Sequence, residues 1–246
     1  MIKPFLIALQ LLTRLPIPNT GQASDWQIGQ SSLYYPLVGL IIGGLLALAA
    51  WASAGSSDGV QAALLLIIWT LVTGALHLDG LADSADAWLG GYGDREKTLT
   101  IMKDPCAGPA GVTAILLVMI TKYAALETLL AQTNYLALIL IPALARSMLP
   151  LLLLSTRYVR SNGLGATIAT NQPKDASRWV IISCVIFTVA AMGNAGLWLL
   201  MVLAAVFICL RSMMIKRIQG TTGDTMGAMI EISEAAALIA LAAVLP

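Results

Sequence analysis

The sequence predicts an all-α protein threaded about seven times through a bilayer, with a short helix at the N-terminus lying on the membrane face. Three observations carry that prediction. Of the 246 residues, 58% are hydrophobic and only 11% charged, whereas soluble domains carry roughly 25% charged residues. The apolar residues gather in runs close to the length a span needs. Lys and Arg are confined almost wholly to alternate connections between those runs.

The elements follow in order. Residues 1–16 are too short an apolar stretch to span, and Pro16 and Pro18 end them, so they read as an interfacial or half-inserted helix. No small-residue cleavage site follows the stretch, so it does not read as a removable leader. Spans are expected at 33–54, 60–78, 108–126, 136–154, 176–192, 195–210 and 228–245. The fifth and sixth come from one uncharged stretch. The run Met192-Gly193-Asn194-Ala195-Gly196 is turn chemistry, and a single helix there would carry Arg211, Lys216 and Arg217 to the wrong side. Neither a soluble domain nor an internal repeat is visible, so residues 1–246 read as one membrane-embedded domain.

Charge placement sets the orientation. Lys3 and Arg14, then Arg95, Lys97 and Lys103, then Arg157, Arg160, Lys174 and Arg178, then Arg211, Lys216 and Arg217 share one side, which the positive-inside rule makes cytoplasmic. Every acid except Asp58 and Glu127 falls on or near that side. A net charge of +1 argues against a nucleic-acid partner. Cys106, Cys184 and Cys209 show no metal-ligand spacing, and the single histidine, His77, leaves little material for zinc or Ser-His-Asp chemistry.

The chemistry-bearing residues sit at that cytoplasmic boundary. Asp79, Asp83 and Asp86 fall at i, i+4 and i+7, one face of a helix. Carboxylates at a membrane boundary are costly unless paired or bound to metal, and such hard oxygen ligands suit Mg²⁺ or Mn²⁺. A solvated helix end is the plain alternative. A second group, Asp224, Glu231 and Glu234, shares one face of the last span. These acids either supply further metal ligands or a general base, or pair with Arg146 or Arg14. Between the groups lies the glycine-rich, basic stretch from Gly90 to Pro105, in which Arg95 and Lys103 are positioned to clamp phosphate oxygens. Arg146, within its span, needs an internal partner and is expected at the same cavity, with structural pairing as the rival. Lys122, near the outer end of its span, is expected to snorkel to the interface. Acids for a divalent metal and cations for phosphate on one membrane face make up a diphosphate-cleaving transferase.

Five ordered motifs, Thr13-Arg14-Leu15-Pro16-Ile17-Pro18, Tyr35-Pro36-Leu37-Val38-Gly39, His77-Leu78-Asp79-Gly80-Leu81-Ala82-Asp83, Ile101-Met102-Lys103-Asp104 and Gly223-Asp224-Thr225-Met226-Gly227-Ala228, resemble the cobalamin synthase family, the adenosylcobinamide-GDP ribazoletransferases. The resemblance spans essentially the whole chain. It implies a bacterial inner-membrane enzyme, facing the cytoplasm, that joins adenosylcobinamide-GDP to α-ribazole or its 5′-phosphate, releases GMP and requires Mg²⁺. It implies Asp79, Asp83, Asp86 and Asp224 as metal ligands and Asp79, Asp83, Glu231 and Glu234 as catalytic acids. Arg14, Arg95, Lys103, Asp104, Arg146, Gly80 and Gly223 would contact substrate. Self-association and association with other late enzymes of the same pathway both stay open. The chain departs from the family at Pro105-Cys106-Ala107, where the family carries Ser-Arg, and the cation that serves that position is left open.

Two other readings compete. Asp79-Gly80 is similar to the start of the CDP-alcohol phosphotransferase motif, but Asp83-Ser84 replaces its Ala-Arg and Thr98 stands where its final Asp belongs. An ion-coupled transporter would place its acids near the midplane in paired repeats, whereas these crowd one leaflet.

Overall fold

The computed structural model describes residues 2–18 and 21–244, so Met1 of the expected N-terminal helix and Leu245 of the expected last span lie outside the described residues. The chain is helical throughout: α1 (Ile2–Leu12), α2 (Asp25–Gln30), a 3₁₀ turn (Ser31–Tyr34), α3 (Tyr35–Ala52), α4 (Asp58–Thr73), α5 (Leu76–Gly90), α6 (Arg95–Ile101), α7 (Pro109–Ala131), α8 (Tyr135–Ser155), α9 (Leu164–Asn171), α10 (Lys174–Ile218) and α11 (Gly223–Ala242). The only β-like pairing among the described residues is one parallel bridge, Tyr158 to Thr221.

Five helical stretches are long and apolar enough to cross a bilayer, or six if α4 and α5 count as one broken span. The polytopic architecture is as expected; the count of seven is not reproduced by length, and the differences have local causes. The expected span 60–78 stops at Gly74, which takes the left-handed conformation (φ 63), and Ala75 follows it (φ 57). The axis then turns by 88°, so α5 leaves the direction of α4 and runs across the bundle end. The stretch 174–218, counted once above, is two helical limbs that meet at a break at Gly193 (φ 55, ψ −128). A Cβ on Gly196 would lie 2.6 Å from the Thr188 carbonyl oxygen. Eight residues of unbroken helix would separate them by about 12 Å. The chain therefore folds back at the turn expected from Gly193-Asn194.

Burial divides the helices into an axis and a shell. α8 and α11 are buried along most of their length. Around them, α4, α7 and α10 expose apolar side chains such as Ile67, Leu71, Leu117, Ile120, Ile186, Phe187 and Ile208. A water-soluble protein would not leave such faces uncovered; lipid covers them without cost. α11 begins with a capping box: the Thr222 hydroxyl accepts from the Thr225 N–H, and the Thr225 hydroxyl accepts from the Thr222 N–H at 2.9 Å. The helix start is thereby fixed, with Asp224 in its first turn, where the helix dipole favours a negative charge.

Candidate active site at the crossing of α5 and α11

α5 and α11 cross closely because neither has a side chain at the crossing. A Cβ on Gly80 would meet the Asp224 carbonyl oxygen at 2.7 Å, and one on Gly227 would meet the His77 carbonyl oxygen at 3.2 Å. This crossing brings together two motifs far apart in sequence. Asp79 and Asp224 line one cavity of about 210 Å³, together with Tyr35, His77, Tyr158 and Gly223. Asp83 stands one turn beyond Asp79. Burial, and then the charges of Asp79, Asp224 and Asp86, push its carboxyl up to about 6, with Arg160 pulling against them. Three carboxylates are thus close enough to repel one another, with one cation among them.

That cation is Arg160, which the sequence marks only as one of several basic loop residues. Its Nη2 donates to the Asp224 carboxylate and, at 3.5 Å, to the Met102 carbonyl. Among the described residues its buried Nε has no acceptor. The loop is held in place by the parallel bridge: Val159 N–H donates to Thr221 O and Thr221 N–H to Arg157 O, both at 2.9 Å. Arg160 therefore occupies the space beside Met102-Lys103-Asp104 that the sequence leaves without an arginine. Lys103 and Asp104 are exposed on that loop, with the Asp104 carboxylate accepting from the Cys106 N–H at 3.0 Å.

Other expected site residues are committed elsewhere. Asp86 shares the face of Asp79 but sits seven residues on, about 10 Å further along the axis. There its carboxylate accepts from Gly108 N–H at 2.7 Å and Gly111 N–H at 2.9 Å, capping the start of α7. Gly80 serves the helix crossing described above and also lines the cavity that Asp79 and Asp224 enter. Arg95, expected to clamp phosphate, instead donates to the Ile218 carbonyl at 3.1 Å and pairs with Glu96, tying α6 to the end of α10.

Glu231, Glu234 and Arg146 form a separate, closed assembly. Lys122 Nζ bridges Glu231 Oε2 at 2.7 Å and Glu234 Oε2 at 2.6 Å, and Arg146 Nη1 reaches Glu234 Oε1 at 2.7 Å. All four side chains are at most 5% exposed. Lys122 does not snorkel: it turns inward, over the Trp69 ring at 4.6 Å, because two buried carboxylates on α11 face it. The pairing alternative holds for Arg146 with Glu234; Glu231 pairs with Lys122 rather than with either arginine. Arg14 lies outside this assembly, on the bend between α4 and α5.

No three His, Cys, Asp or Glu side chains among the described residues stand close enough to form a ready metal cage. Mg²⁺ ordinarily needs less from a protein: one or two carboxylates, completed by water and substrate phosphate. Asp79, Asp83 and Asp224 are oxygen donors whose mutual repulsion a divalent cation would relieve, so the donor set fits. A second, larger cavity of about 260 Å³ behind α5, lined by Trp88, Met213 and Met214, contains no carboxylate.

Comparison with known proteins adds an independent finding. The family model for cobalamin-5-phosphate synthase matches residues 4–242. An adenosylcobinamide-GDP ribazoletransferase of Pseudomonas aeruginosa is 50% identical, covering 98% of both chains. One of Pseudomonas entomophila is 48% identical, covering 97% of this chain and 98% of the relative. No solved structure matches.

Proposed function

The chain belongs to the cobalamin-5-phosphate synthase family, and on that premise we propose that it joins adenosylcobinamide-GDP to α-ribazole, or to its 5′-phosphate, and releases GMP. The observation that carries the reading is that Asp79 and Asp224 line one cavity, with Asp83 one turn beyond Asp79 and close enough to feel both charges and Arg160 paired to Asp224, carboxylates and a cation of the kind a charged diphosphate needs. The ribose 3′-hydroxyl of the acceptor attacks the phosphorus bonded to cobinamide, and GMP leaves. Such a transfer depends on positioning and charge neutralisation more than on covalent help from the protein.

Asp79, Asp83 and Asp224 would hold Mg²⁺, which supplies neutralisation of the diphosphate and polarisation of its oxygens. Arg160, already holding Asp224 and with its Nε unpaired, has donors to offer a phosphate oxygen. Lys103, exposed on the adjoining loop, adds a mobile positive charge. Whichever of these carboxylates is not taken up by the metal would accept the hydroxyl proton. Glu231 and Glu234 hold the helix that carries Asp224 and take no part at the reacting atoms. We place the site at the cytoplasmic face of the bacterial inner membrane, because the basic connections share its side. A cysteine-accessibility map tests this: cysteines at the exposed positions Lys97, Gly163 and Lys216 should label from inside, and at Ser57 and Thr133 from outside.

The reaction is tested with membranes containing the protein. Given adenosylcobinamide-GDP, α-ribazole and Mg²⁺, they should yield a cobalamin product and stoichiometric GMP, and chelation should stop both. CDP-diacylglycerol with a small alcohol should give nothing. GMP release independent of α-ribazole would identify a hydrolase instead.

A further inference from the structure

His77 is buried and unpaired. It is 3% exposed, and among the described residues neither its Nδ1 nor its Nε2 has a hydrogen-bond partner. Buried side-chain nitrogens are ordinarily paired, so a ring with both of them free calls for a reason. His77 lines the cavity that Asp79 and Asp224 enter. The other polar side chains of that lining are acidic or already engaged: Tyr35 is hydrogen-bonded to Ser31, and Tyr158 to the backbone of Gly223. His77 is therefore the one lining side chain, among the described residues, with an uncharged hydrogen bond to give and nothing in the protein to take it.

Its position describes the occupant. Gly80 packs against Asp224, and His77 against Gly227, so α5 leads inward from the acids to the imidazole by about one helical turn. Along α11 the lining residues run from Gly223 to Ile230, about 10 Å of rise. The outer end holds the carboxylates, and the inner end is walled by Leu149 and Ile230. A volume of about 210 Å³ is below the roughly 300–1,000 Å³ of sites that enclose a whole drug-sized ligand. A corrin ring is far too large for it. A guanine fits by size but brings several donors and acceptors, and apolar walls with a single imidazole would leave most of them unpaired. A benzimidazole is flat, apolar and carries one free ring nitrogen, an acceptor in the plane of the ring. A histidine N–H is the single partner it needs.

Resting on the reaction proposed above, we infer that the inner end of this cavity holds the benzimidazole base of the acceptor, and that His77 donates to its free ring nitrogen. The ribose then lies at the mouth, with its 3′-hydroxyl toward Asp79 and Asp224. His77 is accordingly a substrate-binding residue that selects bases with an in-plane acceptor and holds the acceptor by the end opposite to the reacting hydroxyl. The ring offers an N–H in either protonation state, so the contact does not depend on titration.

The test compares α-ribazole with its indole counterpart, in which a C–H replaces the free ring nitrogen, at saturating adenosylcobinamide-GDP and Mg²⁺. In the native protein kcat/KM should be about tenfold to a hundredfold lower for the indole. His77→Phe keeps a planar ring and removes the donor, so it should use the two acceptors alike, its loss confined to the KM for α-ribazole. His77→Gln, which keeps an N–H, should retain part of the preference. A second measurement needs no variant to fold: with the native protein, free dimethylbenzimidazole should compete with α-ribazole, and dimethylindole far more weakly. Equal use of both acceptors by the native protein, an unchanged preference in folded His77→Phe, or the same loss there with both acceptors overturns the assignment and leaves the reaction standing. A His77→Phe loss in the KM for adenosylcobinamide-GDP would seat the guanine in this cavity and overturn it too. A native protein that forms no cobalamin product from α-ribazole removes the reaction itself.

Discussion

α11 carries two acidic regions that look alike in sequence and behave as opposites in the fold. At its first turn, Asp224 joins Asp79 at an open cavity, with Asp83 one turn beyond Asp79 and one cation, Arg160, among the three carboxylates. Two turns deeper, Glu231 and Glu234 meet Lys122 and Arg146 in a sealed, charge-balanced quartet. The surplus of negative charge marks the region that awaits a ligand; in the other the charges balance. What separates them is supplied from elsewhere, by cations on α7 and α8 that reach the second region and not the first.

Removing a partner from the closed region should give the largest effect. Lys122→Met leaves two buried carboxylates with Arg146 alone, and breaking a buried ion pair costs about 3–5 kcal/mol. Thermal unfolding in detergent should show that loss, while turnover per folded molecule stays near normal. A folded Lys122→Met protein with abolished turnover would break the comparison by making the quartet part of the chemistry. At the open region the signature reverses. Asp79→Asn and Asp83→Asn should lower turnover by at least about 100-fold and leave the unfolding temperature unchanged or raised, since each relieves repulsion. Near-normal turnover at low Mg²⁺ in either variant would remove that residue from the site. The smallest effect is expected at Asp86, which follows the open region in sequence but has a structural role. Asp86→Asn should cost about 1 kcal/mol, the worth of a cap at the start of α7. Its turnover should fall far less than that of Asp79→Asn; an equal fall would return Asp86 to the ligand set.

Much of this was legible in the residues. The apolar runs, the alternation of basic connections and the turn at Gly193-Asn194 mark the membrane architecture, and the acidic motifs mark α5 and α11 as the elements that meet. Helical spacing also put Asp86 on the face of Asp79, correctly, but spacing does not report that two turns of height carry it past α11 to the start of α7. Arg160 was hidden for a different reason. It is one of two arginines in the connection between α8 and α10, and the backbone bridge between Tyr158 and Thr221 brings it to Asp224. Lys122 shows the converse. A lysine near the end of a span has the same local sequence whether it reaches outward to water or inward to acids 109 residues away. Single-chain periodicity fixes faces, and long-range partners decide what a charge on that face is for.

The quartet also has a consequence for how the protein is made. Synthesis is vectorial, so Lys122 and Arg146 enter the membrane on α7 and α8 before Glu231 and Glu234 exist. Until α11 arrives, two cations sit in the bilayer without counter-charges, a state costly in lipid. The insertion of α11 is then drawn forward by the charges that precede it, and the same event carries Asp224 to the crossing with α5. Quality control and activation coincide: a nascent chain that fails to receive α11 displays unpaired intramembrane charge and has no complete site. Released chains truncated before Gly223 should differ sharply from the full chain in extraction and protease resistance.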